Sequence, residues 1–274
     1  MIPAAFDYVR AGSADEAISL ISQHGDDAKF LAGGHSLLPL MKLRLAQPTV
    51  LVDIGRVTDL SYVNDAGDHV AIGALTRHMD VENSDVLREH VPLLAHAASH
   101  VGDPQVRHRG TIGGSIAHAD PASDLPATTL ALGATYVVQG ANGTREIAAA
   151  DFYHGFLTSA LEPDEMLTEI RVPKMNGAGW SFQKFTRRAQ DWATVGVAAW
   201  SGDGGSGVGL VNMASVPVLA TSVSNALAGG ASIDEAAEQA NAETDPQSDI
   251  NASVDYRRHL AKVLVKRALA EAAS

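Results

Sequence analysis

Two paired-glycine turns constrain this chain more than anything else in it. Leu31-Ala32-Gly33-Gly34-His35-Ser36-Leu37-Leu38-Pro39 is a short apolar lead, two glycines, a hydroxyl and an apolar helical run. Gly110-Thr111-Ile112-Gly113-Gly114-Ser115 repeats the construction inside a longer stretch, Arg107 to Pro126, with little side-chain bulk between Gly110 and Ala119. Paired glycines reach backbone conformations closed to other residues and let another molecule approach the main chain. Successive N–H groups in such a turn form a concave nest for an anion. One such turn reads equally as a plain strand-to-helix connection; two fit a ligand with two phosphates, or a long body gripped from both sides. Neither turn has the Gly-x-Gly-x-x-Gly or Gly-x-x-x-x-Gly-Lys spacing, so the usual dinucleotide fold and the P-loop are disfavoured. An FAD held by some other fold remains. On this reading a valine at Gly33 or Gly114 would fill the space that the phosphates need.

At 274 residues the chain has room for two domains, or three small ones. Its net charge of −12 argues against nucleic acid and anionic membrane surfaces, which call for basic patches. No apolar run is long enough to span a bilayer and Met1 to Arg10 lacks a signal-like pattern, so a cytoplasmic protein without direct membrane insertion is expected. The absence of cysteine excludes disulfides, thiolate zinc sites, a catalytic cysteine, a cysteinyl flavin link and cysteine-held iron–sulfur clusters.

Ser13-Ala14-Asp15-Glu16 has the spacing of a capping box, and Gly25 is a plausible stop for the helix it starts. A strand over 29–32, a helical run over 35–45 and a buried strand over 50–54 make residues 1 to about 55 a small β-α-β unit. In that helical run Leu37, Leu38, Leu40 and Met41 are expected inward. From about 56 to 175 the pattern mixes short strands with helices, Thr76 and Ser84 being candidate caps and Asn142-Gly143 a hairpin signal. This suggests an α+β domain packed on the first, with the ligand between them. The glycine-rich segment 173–179 is the expected boundary. Beyond it come three strands with a loose loop over Gly202 to Gly207, then helices over 218–228, 233–242 and 256–273. In the last helix Arg257 and its basic neighbours are expected to stay wet, and Trp180 and Trp200 to lie in the core.

The segments Ala32 to Pro39 and Gln105 to Gly114, in that order, resemble the FAD-binding medium subunit of molybdenum hydroxylases. That family includes the flavin subunit of aerobic carbon monoxide dehydrogenase and the flavin domain of xanthine dehydrogenase. The resemblance covers essentially the whole chain, and the run Ala117 to Pro126 leans toward the carbon monoxide dehydrogenase-like branch. It implies an α+β fold: a two-part FAD-binding domain of the vanillyl-alcohol-oxidase-like (PCMH-type) architecture over 1–175, with subdomains of about 1–55 and 56–175. A small C-terminal domain over 176–274, a three-stranded antiparallel sheet with a helix bundle, would follow. It also implies non-covalent FAD, with molybdenum–pterin on a large partner subunit and iron–sulfur clusters on a small one, in a dimer of heterotrimers that passes electrons to an external acceptor.

The resemblance places Ala32, Gly33, Gly34, His35, Ser36 and Leu37 on one side of the cofactor and Thr111, Gly113, Gly114, Ser115, Ala117 and Asp120 on the other. Leu167 joins them. Asp124 would accept a hydrogen bond from a ribityl hydroxyl, and equally suits a helix N-terminus. Lys184 would reach the flavin ring or its ribityl chain, where a cation near the pyrimidine end favours a reduced, anionic flavin; its bland reading is a solvated lysine. Trp192 would cap one face of the isoalloxazine. His96 and His100 stand at i and i+4, a chelating spacing, yet no third ligand is evident. No catalytic side chain is expected. The reading is an electron-transfer subunit, most closely of a carbon monoxide dehydrogenase. Nicotine, aldehyde or purine hydroxylases are alternatives, as are a free-standing flavin oxidase or reductase and a cofactor-free interaction domain.

Overall fold

A computed structural model describes the whole chain, Met1 to Ser274. The N-terminal unit is a three-stranded parallel sheet in which Val50–Asp53 lies between Asp7–Arg10 and Ala28–Leu31. Helix Ala14–His24 turns Ala17, Ile18 and Ile21 onto it and closes a small core with Ala28, Val50 and Val52. Ser13 caps that helix through the Glu16 N–H at 3.1 Å, but the box is displaced: the Glu16 carboxylate takes the N–H of Gly12 at 2.7 Å, one residue early. The second helix is shorter than its apolar pattern, Leu37–Lys42, and of its residues Met41 alone is buried. The turn before it opens toward a cleft rather than onto a core, so Leu38 stays 36% exposed.

The middle unit is a five-stranded antiparallel sheet, ordered Val63–Asp65, His69–Gly73, Met166–Pro173, Thr135–Gly140 and Gly143–Ala148. The chain leaves the sheet after Gly73, builds six helices between His78 and Ala131, and returns. Ser84 caps one of them as expected, accepting from the Leu87 N–H. Thr76 does not: its buried hydroxyl is held by both the N–H and the carbonyl of Tyr62, which pins the start of this excursion to the strand edge.

The C-terminal sheet has four strands, one more than the sequence pattern gives: Gly179–Phe185, Val195–Gly202, Gly205–Val211 and Val218–Leu219. Val218 and Leu219 look like helix from their apolarity, yet they pair with Leu210 and Gly209, and the helix begins only at Thr221. The glycine-rich loop is tight rather than loose, since the strands pair as far as Gly202 with Gly205. Gly207 and Gly209 serve packing: a Cβ on either would overlap a carbonyl oxygen, of Ala131 and Ala127 respectively, in helix Asp124–Ala131. That helix is buried at every position and lies between the middle unit and the C-terminal sheet. Trp200, only partly buried, donates its indole N–H to the Ala131 carbonyl at 2.7 Å, and Trp180 packs against His96; neither is a full core residue. Helix Val254–Ala272 covers the sheet's other face. Its Arg257 is not wet but 2% exposed, donating to the Thr194 carbonyl and to Asp249. No helix is long and apolar enough to cross a membrane.

Candidate functional site

A cleft of about 780 Å³ runs where the three units meet. The first glycine turn forms one wall. The N–H groups of Ala32, Gly33, Gly34, His35, Ser36 and Leu37 donate to no protein acceptor, and the Ser36 hydroxyl caps nothing. Gly34 has φ +76°, which turns the backbone inside out and spares the strain a side chain would bring. Such a run of free donors beside a helix start is an anion site in waiting.

The second glycine turn does a different job from the one its similar sequence implies. Thr111 bridges to Arg77, and the N–H groups of Ile112 and Gly113 go to the carbonyls of Thr76 and Ala74, at 3.0 and 2.9 Å. The Gly114 N–H is taken by the Thr111 hydroxyl at 3.1 Å. This helix start is braced against the protein, leaving the Thr111 N–H and the Ser115 hydroxyl without protein partners. Its glycines permit close approach: a Cβ on Gly113 would lie 2.5 Å from that of Ala74. Gly33 does the same between the two turns, for a Cβ there would overlap the Arg109 carbonyl oxygen and sit 2.8 Å from Gly110 Cα. The space at Gly33 is thus filled by protein, and the expectation that ligand fills it is corrected.

At another part of the cleft Lys184, from the C-terminal sheet, reaches Asp124 at 2.7 Å and the His100 carbonyl at 2.9 Å. Lys184 is therefore not solvated. Burial pushes the Asp124 carboxyl up to about 6, the Lys184 ammonium working the other way. The Oδ1 atom of Asp124 is buried with no partner, an orphan acceptor in the cleft wall. Trp192, 58% exposed, stands over the lining on a short loop whose Asp191 carboxylate takes the Trp192 N–H and Arg188.

Ala32 to Leu37, Thr111, Gly113, Gly114, Ser115, Ala117, Asp124, Leu167, Lys184 and Trp192 all line this one cleft. Asp120 does not; its carboxylate turns away to hold the Ala122 N–H at 2.9 Å, shaping the turn before helix Asp124–Ala131. The His96 and His100 rings touch at a tilt of 58° with centroids 4.7 Å apart, and His100 contributes its carbonyl to Lys184. The sequence reading missed His78, which lines the cleft with its ring against Gly110 and its Nδ1 buried and unpartnered. Burial, with His35, Arg107 and Arg77 adding to it, pushes its pKa down to about 4, so it is neutral at pH 7. No local sequence pattern signals it, because its place in the cleft depends on the bridge between Arg77 and Thr111. Also missed was the wall made by Ser159, Leu161, Glu162 and Met166.

A cleft walled by three parts of one chain, with open donors at one place and a buried donor–acceptor couple at another, defines a protein that holds an extended, phosphate-bearing cofactor. Residues 4–175 match the family model described as the FAD binding domain in molybdopterin dehydrogenase, and residues 180–272 the CO dehydrogenase flavoprotein C-terminal domain. The chain is 42% identical to the carbon monoxide dehydrogenase medium chain of Hydrogenophaga pseudoflava, across 98% of this chain and 97% of that one. It is 38% identical to the glyceraldehyde dehydrogenase medium chain of Sulfolobus acidocaldarius, across 100% of both. A solved structure of carbon monoxide dehydrogenase from Hydrogenophaga pseudoflava, lacking the Mo-pyranopterin moiety, matches with a TM-score of 0.96 at 43% identity, covering 99% of this chain and 98% of that one. The chain belongs to the FAD-binding flavoprotein subunits of molybdopterin dehydrogenases. Its residues fit that cofactor: free N–H groups for phosphate oxygens, and the orphan Asp124 Oδ1 for a hydroxyl or ring N–H.

Proposed function

We propose that this chain is the FAD-carrying electron-transfer subunit of a molybdenum–iron–sulfur hydroxylase, with carbon monoxide as the substrate of the whole complex. The observation that carries the reading is the cleft itself, where free backbone donors and the Asp124–Lys184 couple line one continuous space. FAD, when bound, supplies the ability to take up and release one or two electrons. The chain's own residues bind, orient and shield. The first glycine turn would hold phosphate oxygens through Gly33 to Leu37, and Thr111 and Ser115 would donate from the braced turn opposite. Asp124 would accept from the ribityl chain or the ring. Non-covalent attachment accords with the absence of cysteine.

Trp192 would lie on one ring face, where offset stacking adds about 0.5–1.5 kcal/mol beyond burial. Trp192→Phe should keep FAD while changing the visible flavin spectrum and the rate of reaction with small acceptors; a spectrum and rate identical to the parent's would remove Trp192 from the ring.

A small subunit with iron–sulfur clusters and a large one with molybdenum–pterin would complete a cytoplasmic dimer of heterotrimers that delivers electrons to an external acceptor. The identity to a glyceraldehyde dehydrogenase medium chain keeps an aldehyde hydroxylase as the second reading. The test is to purify the chain from its native cells and identify the chains that accompany it. Two partner chains should copurify. Carbon monoxide should bleach the flavin of the complex and leave the flavin of the separated chain unchanged. Bleaching by an aldehyde instead would favour the second reading, and direct reduction of the lone chain by either substrate would defeat both.

A further inference from the structure

The cation that the sequence offers to the cofactor is already spoken for. Lys184 comes from strand Gly179–Phe185 and Asp124 from the helix beneath it, and their side chains are only 8% and 6% exposed where they meet. An ammonium has three N–H donors. Two go to Asp124 Oδ2 and the His100 carbonyl, so one remains, next to the unpartnered Asp124 Oδ1. Both residues line the cleft. To anything bound there, this wall presents a free donor and a free acceptor whose charges sum to zero. In a buried site with little water to screen it, stranding either charge would alter the local field far more than at a surface.

We propose that Asp124 is a charge-balancing residue that offsets the positive charge of Lys184, so that the couple, rather than the lysine alone, sets how strongly the cleft favours negative charge on the flavin. This rests on the FAD reading above. Two-electron reduction with uptake of one proton adds a single negative charge to the ring, and a nearby unbalanced charge displaces that equilibrium. Asp124→Asn keeps the side chain's shape and leaves the ammonium unbalanced. Lys184→Met removes the cation that holds the buried carboxyl ionised, so the potentials are read at alkaline pH, where that carboxylate stands unbalanced. The double variant removes both charges. A couple that merely ties the two domains together would weaken on either change without giving shifts of opposite sign.

The experiment measures the flavin midpoint potential of the purified complex and its three variants by equilibration with redox dyes, with flavin content determined separately. Asp124→Asn should raise the potential and Lys184→Met lower it, each by about 30 mV or more, a tenfold change in the two-electron equilibrium. The double variant should return close to the parent. If a single variant releases its flavin, the double variant measured against the other single still gives one arm of the cycle, and that arm must have the stated sign. If both singles release flavin while the double retains it, charge balance is again supported. Unchanged potentials, shifts of the same sign, or loss of flavin from all three overturn the proposal. A parent complex without flavin would overturn the cofactor reading instead, so the two failures are distinct.

Discussion

Gly33→Val is expected to give protein with essentially no bound flavin and lower stability. A side chain at this position meets backbone on both counts, the Arg109 carbonyl oxygen and Gly110 Cα at 2.8 Å, and neither can swing aside as a side chain would. The two glycine turns must therefore separate, costing about 1–3 kcal/mol of overpacking. The row of free N–H groups from Ala32 to Leu37 then loses its setting opposite Thr111 and Ser115. The comparison is Gly114→Ala. Gly114 is exposed, and its added Cβ would meet only the Thr111 hydroxyl at 2.7 Å, displacing a helix cap worth about 0.5–2 kcal/mol. That variant should fold and bind FAD more weakly. Visible flavin absorbance per chain and the denaturant midpoint measure both. A yellow Gly33→Val protein of parental stability would show that the turns are not in contact as described.

The contrast between these two glycines marks how far the sequence could be read. The composition of the two turns was enough to suggest a phosphate-bearing ligand, because two paired-glycine turns, each followed by a hydroxyl, fit a long body gripped from both sides better than one does. Sequence could not say that the second turn spends its N–H groups on Ala74 and Thr76, since that depends on a strand edge some forty residues earlier. The same limit hid the fourth C-terminal strand. Val218 and Leu219 are as apolar as a helix face, and only pairing with Gly209 and Leu210 makes them strand. Arg257 looked like one of several wet cations on an amphipathic helix, yet it is buried against Thr194 and Asp249, contacts supplied by distant segments. Lys184 could be placed near the cofactor by resemblance, but its partnership with Asp124 appears only once helix Asp124–Ala131 is folded onto the C-terminal sheet. Local pattern gave elements and the ligand class; which donors are left free is a tertiary property.

The second large effect is expected in acid, where His78 and Asp124 pull in opposite directions. Burial holds the His78 pKa near 4 against an ordinary value of 6.5. A base whose folded pKa is depressed contributes stability that is complete above 6.5 and lost as pH falls toward 4, on the order of 3 kcal/mol for a shift of this size. Asp124 behaves inversely. Its folded pKa, about 6 against 3.8, means that the fold disfavours the ionised form. Its contribution is therefore complete below 3.8 and lost as pH rises through 6, again on the order of 3 kcal/mol. Between pH 4 and 6 the two changes oppose each other within one cleft. Unfolding free energies from urea titrations of flavin-free protein at several pH values, taken as differences from single variants, separate them. Parent minus His78→Asn should fall as pH drops from 7 to 4, and parent minus Asp124→Asn should rise over the same interval. The opposite slopes follow from one physical cause, desolvation of a charged form in the cleft wall, acting on a base and on an acid. If both difference curves are flat, neither side chain is as dry as its position against Gly110 and Lys184 implies.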